Sequence, residues 1–224
     1  SLDIALIGGH TEITHGLDRP ILVTTLIGEV EKSALITPKG ARDSDRLILT
    51  KGVPIVATAR LAREFPHRLT HCLAPDEIIA AQEYIYHPGI SVFKDARIAI
   101  QAGQVTAMHD PTEGGIATAL WELAEACQHT IVVDVEKIPI PSLAKKICDA
   151  FGLNPLGAIA SGSLLLTVVP DSAQAILQAL QGAGIAAVEI GHVHAGPVEV
   201  ITRTDDSSSK LDRFQRDEIA QIYD

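Results

Sequence analysis

The chain has 224 residues, 46% hydrophobic and 21% charged, enough to bury the core of one large domain or of one domain with part of a second. A formal net charge of −10 offers no basic stripe to displace counterions, which excludes non-specific nucleic-acid binding but leaves small anionic substrates open to a local site. No run of roughly 18 apolar residues suits a membrane span, and Cys72, Cys127 and Cys148, odd in number and not closely paired, fit a reducing cytoplasm.

In chain order, Leu2 to Ile7 is a short apolar strand that enters a tight turn at Gly8-Gly9. Ile21 to Val30 reads as a second strand, and the polar stretch 37–44, with Pro38 and Gly40, is the candidate domain break. Leu47 to Leu49 is a third strand, and Lys51-Gly52 leads into a helix from Pro54 to Glu64. A helix starts at Pro75, where proline and the Asp76-Glu77 carboxylates suit a first turn. Residues 94–101 form another helix, and Val105 to Met108 a short buried strand. Apolar positions 116, 120, 123, 124 and 127 recur at helical spacing, so this helix is a core element with Trp121 at an edge or against a partner. Ile131 to Val135, Leu164 to Val169, 185–193 and 197–202 are strands, and 141–151 and 171–181 helices. Cys127 and Cys148 fall in helical patterns and read as buried small hydrophobes. Helices and strands intermix over 45–203, which predicts an α+β fold, a layered α/β sandwich. A Ser- and Asp-rich linker, 205–210, precedes a tail that reads as a short amphipathic helix.

The loop Met108-His109-Asp110-Pro111-Thr112-Glu113-Gly114-Gly115-Ile116 joins a strand to the strongest helix. A strand turning through glycines into a helix leaves backbone N–H groups unpaired, and these with the helix dipole favour an anion or phosphate. Gly114 and Gly115 permit close approach, while Asp110 and Thr112 offer a metal ligand and a cap. On spacing alone the loop serves equally as an ordinary capped turn. Lys51-Gly52, and Ser161 and Gly162 of the 160–163 turn, face the same choice between a phosphate contact and a plain connection. The pairs His67/His71 and His192/His194 have metal-compatible spacing, but no cysteine or carboxylate pattern completes a zinc shell.

Residues 109–126 resemble the D-P-T-R-G-G-L-A-T segment and following helix of HypE-type hydrogenase-maturation proteins, and the similarity continues through Ile138-Pro139-Ile140-Pro141 and 151–156 to Leu164-Leu165-Leu166. The chain is thereby similar to the aminoimidazole-ribonucleotide (AIR) synthase-like superfamily over most of 45–203. The resemblance implies an AIR-synthase carboxy-terminal-domain-like fold at 44–204, with 205–224 as polar linker and tail. Leu6-Ile7-Gly8-Gly9-His10-Thr11-Glu12 resembles the element that ends the family's ATP-binding amino-terminal domain, beside the nucleotide phosphates and Mg²⁺. Residues 1–43 then resemble the last strands of that domain, without its Gly-rich segment and metal-binding aspartates, so weak or no ATP hydrolysis is expected of this polypeptide.

What the resemblance implies for function is an ATP-dependent synthetase or kinase-like enzyme, using ATP and Mg²⁺, acting on a small-molecule substrate as a cytoplasmic homodimer with no nucleic acid or membrane partner. Asp110 and His10 are the implied catalytic residues. Gly8, Gly9, Thr11, Thr112, Gly114, Gly115, Ser161 and Gly162 are implied to bind phosphate or substrate, and Glu12 and Asp110 metal. The alternatives are a HypE-like or selenophosphate-synthetase-like protein, or a non-catalytic dimerisation or scaffold module. The ending Ala220-Gln221-Ile222-Tyr223-Asp224 lacks the terminal cysteine of hydrogenase-maturation members, which weighs against carbamoyl dehydration.

Overall fold

Alternating apolar residues along the strands divide the core between the two faces of one mixed sheet. In the computed structural model, which describes residues 4–204 and 207–223, the strands are β1 (Arg46–Thr50), β2 (Val105–His109), β3 (Thr130–Asp134), β4 (Leu165–Val168), β5 (Ala187–His194), β6 (Glu199–Arg203) and β7 (Ser208–Lys210). The helices are α1 (Ile55–Glu64), α2 (Pro66–Leu69), α3 (Pro75–Gln82), α4 (Phe93–Ala102), α5 (Gly115–Cys127), α6 (Ser142–Phe151) and α7 (Pro170–Gly182). The sheet order is β2-β4-β1-β5-β3-β6-β7, antiparallel throughout except for the parallel β3–β6 pair. This is the α+β fold that the intermixed pattern predicts.

Leu47, Leu49, Ile131, Val133 and Leu165 point to the face covered by α5, whose Ile116, Leu120 and Leu123 complete that core. Ile48, Leu166 and Val168 point the other way, against Ala99 of α4 and Ile176 and Leu180 of α7. A third cluster joins α1, α3 and α6. Gly152 ends α6 in the left-handed region, with the Leu153 amide on the Cys148 carbonyl at 2.9 Å, the pairing by which a C-terminal glycine closes a helix. Cys127 and Cys148 are buried as expected, and burial pushes the Cys148 thiol up to about 12.

Two sequence expectations fail. The chain divides into units 1–35 and 36–224, each described by itself. Within the first unit neither 4–7 nor 21–30 forms a strand, and Leu2 and Asp3 lie outside the described residues. Residues 4–8 and 25–27 flank a common hollow there. Leu6, Ile7, Leu22 and Val23 are all more than 85% exposed. β-branched composition favours strand only where a neighbouring strand and a packing face accept it, and a lone two-segment pairing is marginal in water.

The second failure concerns 205–224, read as linker and tail. Asp205 and Asp206 lie outside the described residues, but Ser208–Lys210 is β7, antiparallel to β6 with Arg203 opposite Ser208. Residues beyond it cross the domain. The Trp121 indole N–H donates to the Leu211 carbonyl at 3.2 Å, and Arg213 pairs with Glu125. Ile219, only 5% exposed, joins Ile147 and Phe151, while the Tyr223 hydroxyl reaches Glu64. The polar composition of 205–210 hides this, because β7 covers the flank of β6 through backbone and hydroxyl bonds. The expected amphipathic helix is a short 3-10 turn, Glu218–Ile222. Ile219→Ala should therefore cost about 2–4 kcal/mol in urea unfolding, as for a core aliphatic; a loss below about 0.5 kcal/mol would show that the tail is peripheral.

Candidate functional site

Register brings three loops to one end of the sheet. Leu165 lies opposite both Leu49 of β1 and His109 of β2, so the segments leaving β1 and β2 emerge beside the segment entering β4. The Ala160 amide bonds the Thr112 carbonyl at 3.3 Å, which ties the 160–163 turn to the 110–114 loop. Crevices at the ends of strands, where connections diverge, are common ligand sites in sheet proteins.

Lys51 fastens this end. Its ammonium, 6% exposed, lies 3.3 Å from Asp95 Oδ2 and donates to the carbonyls of Ser91 at 2.7 Å and Gly162 at 3.0 Å. Asp95, 1% exposed, also accepts from Thr50 Oγ1 at 2.8 Å, and that hydroxyl accepts from the Leu164 amide at 3.0 Å. The backbone amides of Lys51 and Gly52 are spent on the Ala186 and Thr50 carbonyls, both at 2.7 Å, so this turn is a plain connection in its amides and a functional hub in its side chain. Sequence reading missed Asp95. The signal was available, since Asp95 shares a helical face with Ala99 and a carboxylate on a core-facing stripe requires a buried cation or donors. A cleft of about 510 Å³ opens beside the pair, with Tyr86, Ile90 and Lys94 among its walls.

Gly162 has φ +109°, and a Cβ there would stand 3.1 Å from the Ile90 Cα, so the turn is pressed beneath the 89–90 backbone rather than turned to solvent. Ser161 beside it is half-buried.

The 109–116 loop spends two of its amides inside the protein. Gly114 has φ +75° and its amide donates to Asp217 Oδ2 of the tail at 2.7 Å; the Gly115 amide donates to the Thr112 carbonyl at 3.0 Å. The amides of both glycines are thus paired within the protein. Both glycines are buried, and an orphan N–H under the tail must find an acceptor. A Cβ on Gly115 would fall 2.4 Å from the Leu156 carbonyl, so glycine is required there for close packing. Thr112 is half-buried, and the Thr118 hydroxyl next to Gly114 is buried without a partner among the described residues. Asp110 is exposed and has no hydrogen bond or ion pair among the described residues, which leaves both its oxygens available to a cation or a proton. Its neighbour His109 meets Glu122 through Nε2 at 2.6 Å.

This arrangement of strands and loops coincides with a known domain: residues 42–203 match the family described as AIR synthase related protein, C-terminal domain. The chain belongs to the AIR synthase-related family. Relatives include the carbamoyl dehydratase HypE of Cupriavidus necator, 30% identical over 170 residues, covering 74% of this chain and 44% of that protein. Another is the selenide, water dikinase of Methanococcus maripaludis, 26% identical over 208 residues, covering 85% and 59%. The fold matches a crystal structure of the hydrogenase maturation protein HypE in complex with ATP, with TM-score 0.67 and 20% identity over 85% of this chain and 56% of that one. The chain spans about half the length of the curated relatives it matches.

Of the residues that the AIR synthase-related resemblance marks, the fold gathers Asp110, Thr112, Gly114, Gly115, Ser161 and Gly162 at one end of the sheet. Gly8, Gly9, His10, Thr11 and Glu12 belong to the separate unit 1–35 and are exposed, with His10 Nε2 at 3.9 Å from Glu12 Oε2. Among the described residues no group of three or more His, Cys, Asp or Glu side chains comes together, and no helix is long and apolar enough to cross a membrane.

Two stability measurements test this geometry. Asp95→Ala leaves the Lys51 ammonium buried without its carboxylate and should cost about 3–5 kcal/mol, whereas Lys51→Met with Asp95→Leu should recover most of that loss. Asp217→Ala removes the acceptor from the Gly114 amide and should cost about 1–2 kcal/mol, with the largest amide chemical-shift change at Gly114; an unmoved Gly114 resonance would refute the bond.

Proposed function

We propose that this chain carries the substrate-side domain of an ATP-dependent enzyme of the synthetase or kinase type, acting on a small molecule by phosphoryl transfer or its equivalent. The observation that carries this reading is the exposed Asp110 carboxylate, without a partner among the described residues, on the loop after β2 at the end of the sheet where β1 also ends and β4 begins. Phosphoryl transfer demands little covalent chemistry of a protein and much positioning and charge neutralisation. Mg²⁺ is commonly held by one or two carboxylates together with substrate phosphates and waters, and a single free aspartate with open solvent access fits that donor set. Bound there, Mg²⁺·ATP would supply the transferable phosphoryl group and neutralise its charge. Asp110 holds the cation or accepts a proton from the substrate, with Thr112, Ser161 and Gly162 as substrate or phosphate contacts. In the same reading residues 1–43, which carry Gly8, Gly9, His10, Thr11 and Glu12, are the last part of an ATP-binding domain. Homodimers and a cytoplasmic setting belong to the same reading. Carbamoyl dehydration of the HypE kind and selenophosphate formation remain the specific chemistries to be separated by substrate.

One observation favours a second reading, a non-catalytic dimerisation or scaffold module. Asp217 already sits on the Gly114 amide, so the loop presents less hydrogen-bonding capacity to an anion than its sequence promises. Calorimetry with ATP in the presence and absence of Mg²⁺ separates the two. The enzyme reading expects Mg²⁺-dependent binding that weakens about tenfold, or ~1.4 kcal/mol, in Asp110→Asn. Absence of binding under both conditions would leave the scaffold reading.

A further inference from the structure

On the sheet face opposite α5, α4 and α7 pack over β1, β4 and β2. Further along the same face, β5, β3 and β6 carry polar side chains around a hollow of about 230 Å³. Cross-strand register sets Arg46 opposite His192, His192 opposite Val132, and Asp134 opposite Arg203. Val132 and Gly191 contribute little side chain to the hollow. A Cβ on Gly191 would fall 2.0 Å from the Val132 carbonyl, so this floor admits only glycine. Beside it the β1–β5 pairing shifts register between Leu47 and Ile48, a bulge of the kind that re-aims side chains next to binding sites.

The charges around this notch are unusual for a chain of net charge −10. Arg46, Lys137 and Arg203 line it together with Asp134 and Glu189. Arg46 pairs with Glu189 at 3.3 Å and Lys137 with Asp134 at 2.9 Å, which leaves the Arg203 guanidinium without a carboxylate among the described residues. His192 sits between like charges: burial first, then Arg203, Arg46 and His194, hold its imidazole below the usual value against the opposing pull of Glu189. Three cations face two carboxylates here, so the notch holds one positive charge in excess, on Arg203, and the His192 imidazole offers one further N–H beside it.

We propose that this notch binds a small phosphate dianion, either inorganic phosphate or the phosphate of a phosphomonoester, with Arg46 and Arg203 closing from opposite sides and His192 donating an N–H between them. β1 and β6 are separated by three strand spacings, about 14 Å, a span that two arginine side chains reaching inward can close around one anion. The proposal is independent of the role of Asp110, and it adds a second anion site on a different part of the sheet.

The test is NMR of the His192 imidazole in the full chain, titrated with inorganic phosphate and, separately, with glycerol phosphate against chloride at matched ionic strength. Saturable movement of the His192 resonances is expected, with its titration midpoint raised by roughly half a unit or more because the bound dianion offsets both guanidiniums. Arg203→Gln and Arg46→Gln should each weaken binding about tenfold, while Lys145→Gln, exposed on α6, leaves it unchanged. Tighter binding of glycerol phosphate than of phosphate assigns the site to a phosphomonoester, and the reverse assigns it to the free ion. No saturable shift at tens-of-millimolar phosphate, a shift reproduced by chloride, or one that persists in both arginine variants with intact amide spectra would overturn the proposal.

Discussion

Burying an ammonium group is expensive unless its protons and its charge are both answered, and Lys51 answers them by drawing on three separate parts of the chain. The Asp95 carboxylate comes from α4, the Ser91 carbonyl from the loop before it, and the Gly162 carbonyl from the turn before β4. Thr50 extends the network by bonding Asp95 through its hydroxyl and receiving the Leu164 amide. The low-dielectric surroundings strengthen these bonds and also make the loss of any partner costly. Such a network favours specificity over net stability: it sets where the loops after β1 and before β4 stand relative to each other. The cleft of about 510 Å³ beside Lys51 and Asp95 depends on that placement.

The start of α5 is governed by the tail. Helix α5 begins at a buried Gly-Gly pair, and a buried helix start leaves N–H groups that must be paired. Asp217 supplies an acceptor from a hundred residues away, and the segment carrying it is held by Trp121, Glu125 and the Ile219 contacts. The helix dipole and a carboxylate cap reinforce each other. Two amides that look like an invitation to phosphate are here satisfied inside the molecule, while the Asp110 side chain nearby stays exposed.

Charge is distributed unevenly over the sheet. Among the described residues, the loop after β2 carries an unpaired acid, Asp110, and the β5–β3–β6 face an unpaired base, Arg203, beside Arg46 and His192. A net charge of −10 conceals both, because summed charge carries no information about which carboxylates are already paired.

Local patterns decided much of the outcome from sequence. The apolar periods of α4, α5 and α7 and the short β-branched runs of β1 to β6 specify their elements because each buries a face at the sheet, and those of α1 and α6 because they bury faces against one another and α3, so local preference and tertiary demand agree. The motif from His109 to Ile116 likewise marked a strand–loop–helix junction. Sequence could not determine what depends on partners distant in the chain. The segments 4–7 and 21–30 have strand composition but find no ladder, the polar 208–210 becomes a strand because β6 offers its flank, and Asp95 and Asp217 acquire their roles from Lys51 and Gly114. Residue type and spacing determine which groups are available for bonding; only the folded chain decides which remain free, because hydrogen bonds and ion pairs are satisfied by proximity in space.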